Sequence, residues 1–447
     1  MNLQSTTRRV DEDSAGDGRG WLLCRGIKSL LRCDEAEVVE GIARYVMSQH
    51  GSLRIGSALM ERARGTPLPA AAALLGGLTR FLEVRAGERK DGAVWIARLG
   101  NERRAVESLP TSLPELGWVE WQFRRRPAAA ALAALAATLR GAPSARRVFR
   151  IARMLHRRHE FFKVLRVVEL VGYYARYLGL FRGGRYHLAL MSSHSNPHGI
   201  AFNLAARKCG VPVVLVTHGM PVRPVARLGY ELAVVHCEAA RRTYLEAGCR
   251  IGRVLIHGRR QDYAPMPSGP LPERLSVGVF LCKDVNEGRL RTLIGRLLAD
   301  VRVARVLVRP HPKNLWVGLD AWIESRNEPR LRRSPAGPVS QDLEEADIVL
   351  AGNSSVLVEA VTAGRPAGYV SGIDHGPTDL HEFVARGLIY PIEDSLDFDP
   401  DAMLRFYRQP DWPTVLRLFA NMDEDEAAVA AQAREVMRGL ADIQVFG

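Results

Sequence analysis

A regular alternation of short apolar runs with helix-patterned stretches, starting near Tyr186 and holding to Val370, limits the fold of this chain more than any other feature. Parallel strands are buried on both faces and read as continuous Val/Ile/Leu-rich runs, and each needs a crossover, usually a helix, before the next. His187–Met191, Val211–Thr217, Leu232–Val235 and Arg253–Ile256 fit as strands, with helices over Gly199–Cys209 and Glu238–Ala247. Ala264-Pro-Met-Pro-Ser-Gly-Pro-Leu-Pro272 then breaks the pattern, because proline neither continues a helix nor sits in a central strand. The rhythm restarts with strands at Val277–Leu281, Ala304–Val308, Ile348–Leu350 and Ala367–Val370 and helices at Gly288–Leu298 and Ser355–Thr362.

A chain of 447 residues is too long for one ordinary core. The expectation is therefore an α/β protein of two Rossmann-like domains facing across a cleft, with a helical N-terminal elaboration. Residues 1–20 read as a flexible tail, 21–262 as the first domain, 263–274 as a linker, 275–425 as the second domain and 426–447 as a C-terminal helix. Between Trp21 and Leu139 the pattern is mostly helical, with one strand at Ala93–Ala97 and a proline-rich loop around Leu109–Leu116.

The formal charge of +13 comes from arginine more than lysine, and arginine suits bidentate contact with phosphate oxygens, so the partners should be anionic. The densest basic stretch runs from Arg124 to Arg185. There Val148, Ile151, Leu155, Phe162, Leu165 and Val168 recur mostly at helical spacing, which leaves a basic face suited to an anionic membrane surface or simply to solvent. No RNP aromatics, zinc fingers or helix-turn-helix pattern accompany it, so nucleic acid is not expected. The six cysteines lack C-x-x-C spacing and read as free thiols. An N-terminus without an apolar h-region, and an apolar run at Pro127–Leu139 too short for a bilayer, point to the cytoplasm, with peripheral contact on the inner membrane face as an option.

Open α/β sheets bind ligands beyond the carboxyl ends of their strands, so residues that leave a strand carry the chemistry. The turn Arg309-Pro-His-Pro-Lys313 offers three cations, with prolines restricting where His311 points. The strand-turn-helix around Asn353-Ser354-Ser355 offers two hydroxyls at a helix start, either for phosphate or as simple caps. Lys283 follows a strand of the same domain and is placed to reach a donor phosphate, and Glu359 to hold ribose hydroxyls. In the first domain His218 leaves a strand and is the candidate base, with His194 and His198, one strand earlier, as rivals. A metal from His194 and His198 lacks a local carboxylate or thiol partner, and no metal is expected.

These residues carry a resemblance. Arg309–Pro312, Ser354-Ser355, Thr217–Arg223 and Gly258–Asp262 together resemble the R-P-H-P, Ser-Ser, W-H-G-T-P-x-K and G-x-R-x-D elements of a transferase family. That family comprises CDP-glycerol glycerophosphotransferases, capsule-synthesis Kdo transferases and bacterial HP-motif sialyltransferases. Thr217 stands where the teichoic-acid members have Trp, and Arg223 where they have Lys. The resemblance covers residues 186 to 395 and implies a GT-B fold, with an acceptor-side first domain and a nucleotide-donor second domain. It further implies that His311 and the serine pair contact donor phosphates and that His218 deprotonates the acceptor. The expected activity is metal-independent transfer from a CMP-sugar or CDP-polyol, needing no cofactor, to a cell-surface glycan or lipid-linked acceptor, as in capsule polysaccharide biosynthesis. The alternatives are a UDP-sugar transferase, a UDP-GlcNAc 2-epimerase-like enzyme, and a non-enzymatic scaffold on an anionic membrane.

Overall fold

The computed structural model describes residues 18–31, 33–48, 59–87, 89–123, 143–257, 263–313, 316–335, 337–420 and 425–445. The chain divides into two compact units. The first takes residues up to Val234 with Thr243–Leu255 and everything from Ala431 on, and the second takes Val235–Arg242 with Ile256–Ala430. The Pro-rich stretch from Tyr263 to Arg274 has no helix or strand and belongs to the second unit.

The first unit is built on a seven-stranded sheet of β1 (Val84–Arg85), β2 (Asp91–Ile96), β3 (Val119–Phe123), β4 (Arg185–Met191), β5 (Val213–Val216), β6 (Gly229–Val235) and β7 (Arg250–Ile256), in the order β1-β3-β2-β4-β5-β6-β7. β2 runs parallel to both β3 and β4, and β4, β5 and β6 continue parallel. The described residues between 21 and 139 thus supply three strands rather than the single expected one. Val119-Glu-Trp-Gln-Phe123 alternates apolar and polar as a strand should. The expected loop at Leu109–Leu116 holds a short helix, Ser108–Ser112, and a 3₁₀ turn, Pro114–Leu116. The strand order reverses between β2 and β4, since β3 lies on one side of β2 and β4 to β7 continue on the other.

The helices of this unit are α1 (Gly18–Leu31), α2 (Ala36–Ser48), α3 (Leu68–Glu83), α4 (Gly100–Val106), α5 (Ser108–Ser112), α6 (Pro143–His156), α7 (Phe161–Arg182) and α8 (Pro197–Lys208), with α1, α2 and α6 packed on other helices. The centre of the packing is the fully buried Trp121, whose ring meets Tyr177, Phe181, Tyr186 and Phe202 at centroid separations of 4.7 to 5.8 Å. Stacked and edge-on aromatic pairs of this kind add about 0.5–1.5 kcal/mol each beyond area burial. α3 and α7 cross closely because Gly77 and Gly172 meet there, and a Cβ on Gly172 would lie 2.0 Å from the Gly77 carbonyl oxygen.

The second unit carries a six-stranded, all-parallel sheet of β8 (Leu275–Phe280), β9 (Val303–Arg309), β10 (Leu331–Arg333), β11 (Ile348–Ala351), β12 (Ala367–Val370) and β13 (Tyr390–Ile392). Its order, β10-β9-β8-β11-β12-β13, is the Rossmann order 3-2-1-4-5-6, with the reversal between β8 and β11. Helices α9 (Glu238–Glu246), α10 (Glu287–Ala299), α11 (Leu319–Ser325), α12 (Val339–Glu345), α13 (Val356–Thr362), α14 (Pro400–Tyr407) and α15 (Trp412–Phe419) follow, α9 running from this unit into the first. α10 shows why helices form here. Asn286 caps it by accepting the Arg289 N–H, and Leu290, Leu293, Ile294 and Leu297 recur at i, i+3, i+4 and i+7 to bury one face in the core. The last helix, α16 (Glu426–Val445), belongs to the first unit from Ala431, where Arg438 pairs with Glu115 at 2.7 Å. No described helix is long and apolar enough to cross a membrane. Arg124–Arg126, Pro127–Leu139 and Gly258–Asp262 lie outside the described residues.

Candidate functional site

The second unit presents a cationic loop cluster at its order reversal. Phe280 pairs with Arg309 on one side and Ala351 on the other, so β8, β9 and β11 end level. Their following loops, carrying Lys283, His311 with Lys313, and Asn353–Ser355, leave one sheet edge on three adjacent strands. His311 accepts the Lys313 backbone N–H on Nδ1 at 2.9 Å, which leaves Nε2 as the protonated, outward donor of the neutral ring. Partial burial, then the ammoniums of Lys313 and Lys283, hold its pKa below the ordinary histidine value. Both ammoniums therefore act electrostatically on the imidazole. Neither forms an ion pair with a carboxylate among the described residues, and both side chains are exposed.

The first unit presents a buried polar cluster at its own order reversal. Ile96 pairs with Met191, and Met191 with Leu215, so β2, β4 and β5 also end level. Glu102 follows β2, Ser192, His194 and His198 follow β4, and Thr217 and His218 follow β5. Glu102 is 1% exposed and accepts the backbone N–H groups of Arg98 (2.7 Å) and Leu99 (3.1 Å) on Oε2. His198, equally buried, brings Nε2 to 3.5 Å of the same oxygen, an ion-pair distance rather than a well-formed hydrogen bond. Burial pushes the Glu102 carboxyl up, but His198 and the two N–H donors outweigh it and hold the pKa at about 2.

His194 meets the Tyr244 hydroxyl through Nδ1 at 2.7 Å, and burial, aided by His218, drives its pKa down to about 3, so it is neutral in the folded protein. His218 lies 3.0 Å from Ser192 Oγ through Nδ1 and is half-buried. Burial lowers its pKa, partly offset by Glu102 and Ser192. With Nδ1–H donated to Ser192, Nε2 carries the lone pair. Glu102 Oε1, both His198 nitrogens, His194 Nε2 and Thr217 Oγ1 are buried without a hydrogen-bond partner among the described residues. Unpaired buried polar atoms are costly, on the order of 1–3 kcal/mol each, and so many at one sheet edge mark a place built for a polar ligand or ordered water.

No protein-family model matches the chain, and no curated protein matches it. Its structural neighbours are glycosyltransferases and UDP-GlcNAc 2-epimerases. The glycotransferase of kitacinnamycin is 14% identical with a TM-score of 0.42, over 80% of this chain and 99% of that one. CalG4, the calicheamicin glycosyltransferase, is 16% identical with a TM-score of 0.40, over 61% of this chain and 79% of that one. A UDP-N-acetylglucosamine 2-epimerase is 14% identical with a TM-score of 0.39, over 80% of this chain and 96% of that one.

Several of the expected site residues of the second unit are engaged within the domain. The guanidinium of Arg309, expected at a phosphate, is engaged within the domain. It pairs with the buried Asp342 of α12 and donates to the carbonyls of Gly337 (2.5 Å) and Pro338 (3.4 Å). Asn353 is occupied too. Its Nδ2 donates to Asp374 Oδ1 (2.9 Å) and Pro377 O (2.8 Å), and its Oδ1 accepts from Leu380 N–H (2.8 Å) and Tyr369 OH (3.3 Å). It pins the 374–380 loop. The helix after the serines, α13, has seven residues and so gives the dipole argument little support. Ser354 Oγ accepts weakly from Val356 N–H at 3.4 Å, whereas Ser355 is exposed and makes no side-chain cap. Glu359 is half-buried on α13, with its N–H directed to Ser355 O at 3.3 Å.

Two residues that position these clusters escaped sequence reasoning. Asp374 holds Asn353 through both its backbone and side-chain N–H groups, and Gly352 is required beside it, since a Cβ there would lie 2.2 Å from Asp374 Oδ2. Glu102 has a local signal, because it follows the one strand expected in that region. Among the described residues no group of three His, Cys, Asp or Glu side chains is placed to hold a metal.

Proposed function

We propose that the chain is a nucleotide-dependent transferase that moves a sugar or polyol-phosphate from a cytidine-activated donor, a CMP-sugar or CDP-polyol, to a glycan or lipid-linked acceptor. The observation that carries this reading is the Lys283–His311–Lys313 cluster, three cationic or donor groups without a paired acid among the described residues, beyond β8 and β9 and beside the strand-order reversal of a Rossmann-order sheet. Such a crevice is where doubly wound sheets bind nucleotides. Ser355 adds an exposed hydroxyl beyond the neighbouring strand β11, and Glu359 remains the proposed ribose contact. The cytidine base and the capsule-type acceptor rest on the R-P-H-P and Ser-Ser resemblance.

In the reaction, negative charge grows on the leaving nucleotide's phosphate as the bond to the transferred group breaks. The two ammoniums and the His311 Nε2–H stabilise that charge with groups already in place. The acceptor hydroxyl loses its proton to His218 Nε2, whose lowered pKa keeps it neutral and able to accept at neutral pH.

The test is thermal unfolding with CMP, CDP, UMP, UDP and GDP for the wild type, His311→Ala and Lys283→Ala. A nucleotide at 100-fold over its Kd adds about 2.7 kcal/mol, which in a unit of about 180 residues raises Tm by roughly 5–10 °C. Cytidine-selective stabilisation lost in both variants supports the proposal. Preference for UDP moves it to a UDP-sugar transferase or epimerase, and no response to any nucleotide refutes it.

A further inference from the structure

The first unit carries a strongly basic surface that neither cluster uses. α6 contains no acidic residue, and Arg146, Arg150, Arg153 and Arg157 recur at i, i+4, i+7 and i+11 along it and just past its end, all exposed. That stripe is about 16 Å long at 1.5 Å per residue. Arg147 and Arg158 are exposed beside it. None of the six forms an ion pair with a described carboxylate. Of the acids near the end of α6, Glu61 is engaged with Arg64 and the Phe161 N–H, and Glu160 with Lys163.

The opposite face of α6 is fixed. Ile151, Ala152 and Leu155 are buried, and Ile151 and Leu155 close on Gly26 of α1, where a Cβ would lie 3.3 Å from each. α1 runs antiparallel to α6, as the pairs Gly26 with Ile151/Leu155 and Ser29 with Arg147 (2.8 Å) require. α1 has no acid either. Its Trp21, Arg25 and Ser29 share one face at i, i+4 and i+8, so the Arg147–Ser29 contact joins that face to the arginine stripe. Trp21 is 59% exposed, with Arg25 stacked over its ring at 5.2 Å.

We infer that this two-helix face docks on a bilayer surface rich in anionic lipid. Like charges crowded on one rigid helix repel one another and need a counter-charge from outside, and headgroup phosphates supply it over a plane. An exposed Trp beside the cations is the second part of the argument, because an amphipathic indole settles at the headgroup boundary, whereas a phosphate backbone alone gives it no apolar layer. The surface stands apart from both clusters, and under the proposed function it would bring the chain to a lipid-linked acceptor.

The experiment is sedimentation of the full chain with vesicles of phosphatidylcholine alone or mixed with phosphatidylglycerol, over rising salt. It is repeated for the quadruple variant Arg146→Gln, Arg150→Gln, Arg153→Gln, Arg157→Gln and for Trp21→Ala. The expected result is binding to the mixed vesicles only, weakening steeply with salt, reduced about 5-fold per removed arginine and so at least about 100-fold in the quadruple variant. Trp21→Ala should remove the part of binding that survives high salt. An unshifted thermal transition shows that the variants fold, and should the quadruple variant melt early, Arg150→Gln with Arg153→Gln carries the test at about 25-fold. Three results overturn the inference: no binding by the wild type, equal binding to neutral vesicles, or tighter binding to a nucleic-acid oligomer that strips the chain from vesicles at the same salt.

Discussion

Replacing Arg309 should damage stability rather than nucleotide binding, against what its place in the R-P-H-P element implies. Its side chain is 18% exposed and that of Asp342 is 3% exposed, so the pair is largely desolvated. In Arg309→Met the aliphatic volume is kept, but the Asp342 carboxylate retains only the Ser334 hydroxyl at 2.6 Å. Removing one member of a buried pair costs roughly 3–5 kcal/mol, and the partial exposure of Arg309 argues for the lower end, about 3. At about 2–4 °C per kcal/mol for a unit of this size, the transition should fall by roughly 6–12 °C. Asp342→Leu should cost a similar amount, whereas the double variant, with no charge left to bury, should recover most of the loss. Calorimetry gives the shift, read on the transition that responds to nucleotide, and titration of the folded variant gives its affinity. Affinity should stay within about threefold of the wild type, because the guanidinium is turned into the domain. A tenfold or greater loss of affinity with an unmoved transition would refute the structural assignment of Arg309.

The other predictions concern the two clusters directly. His311 starts with a depressed pKa, and a bound phosphate raises it, so nucleotide binding should take up a proton and tighten as pH falls from 8 toward 6. Calorimetric titration in buffers of different ionisation enthalpy reads this, and His311→Ala should lose it. His218→Asn should lower turnover by about 10²–10⁴-fold while leaving nucleotide affinity unchanged; equal loss of both would remove it from the role of base. Glu102, with its folded pKa near 2 against an ordinary 4.5, contributes on the order of 3 kcal/mol above pH 4.5, lost as pH falls toward 2. Denaturant titrations should show a shallower pH dependence across that window in Glu102→Gln. His194, with its folded pKa near 3 against 6.5, adds a separate loss that begins below pH 6.5, since only the unfolded state takes the proton there. Gly352→Ala should weaken nucleotide binding by displacing Asp374 and the loop that Asn353 anchors, and unchanged affinity would show that the loop does not shape the site.

The parts of this molecule legible in sequence are those whose cause is local. Strands of the second unit such as Ile348–Ala351 are buried apolar runs, and helices such as Glu287–Ala299 carry their own cap and period. β10 and β13 were not legible, because Leu331-Arg-Arg333 and Tyr390-Pro-Ile392 are three residues long and hold their place by pairing with β9 and β12. At the site, sequence placed His194, His198 and His218 at neighbouring strand ends as rivals. The chain folds them into one cluster because Glu102, about 90 residues before His194, enters the same sheet edge from β2. The engagement of Arg309 within the domain was illegible for the same reason. Its partner Asp342 lies 33 residues further on, in a helix, and nothing around the Arg-Pro-His-Pro turn announces it.

The two clusters have opposite electrostatic designs, and the difference suits the roles that the proposed function assigns them. An anion that arrives from water with charge on it needs cations that stay hydrated until contact. Lys283, Lys313 and His311 are exposed and unpaired with acids among the described residues, and the two ammoniums add to the cost of charging His311, which a phosphate relieves on binding. A base that must accept a proton from a hydroxyl needs the reverse: a neutral imidazole, partly withdrawn from water, with a fixed carboxylate nearby to favour the imidazolium once it forms. His218 has its pKa lowered by burial and supported by Glu102, so the same carboxylate that is held ionised at neutral pH opposes the burial penalty at the moment of proton transfer. His194 is driven too far down to exchange protons near neutrality and serves as a neutral hydrogen-bonding wall with Tyr244. On this argument a single substitution, Glu102→Gln, should lower the apparent pKa of the basic group in the pH–rate profile without touching nucleotide affinity, and an unmoved profile would separate the carboxylate from the base.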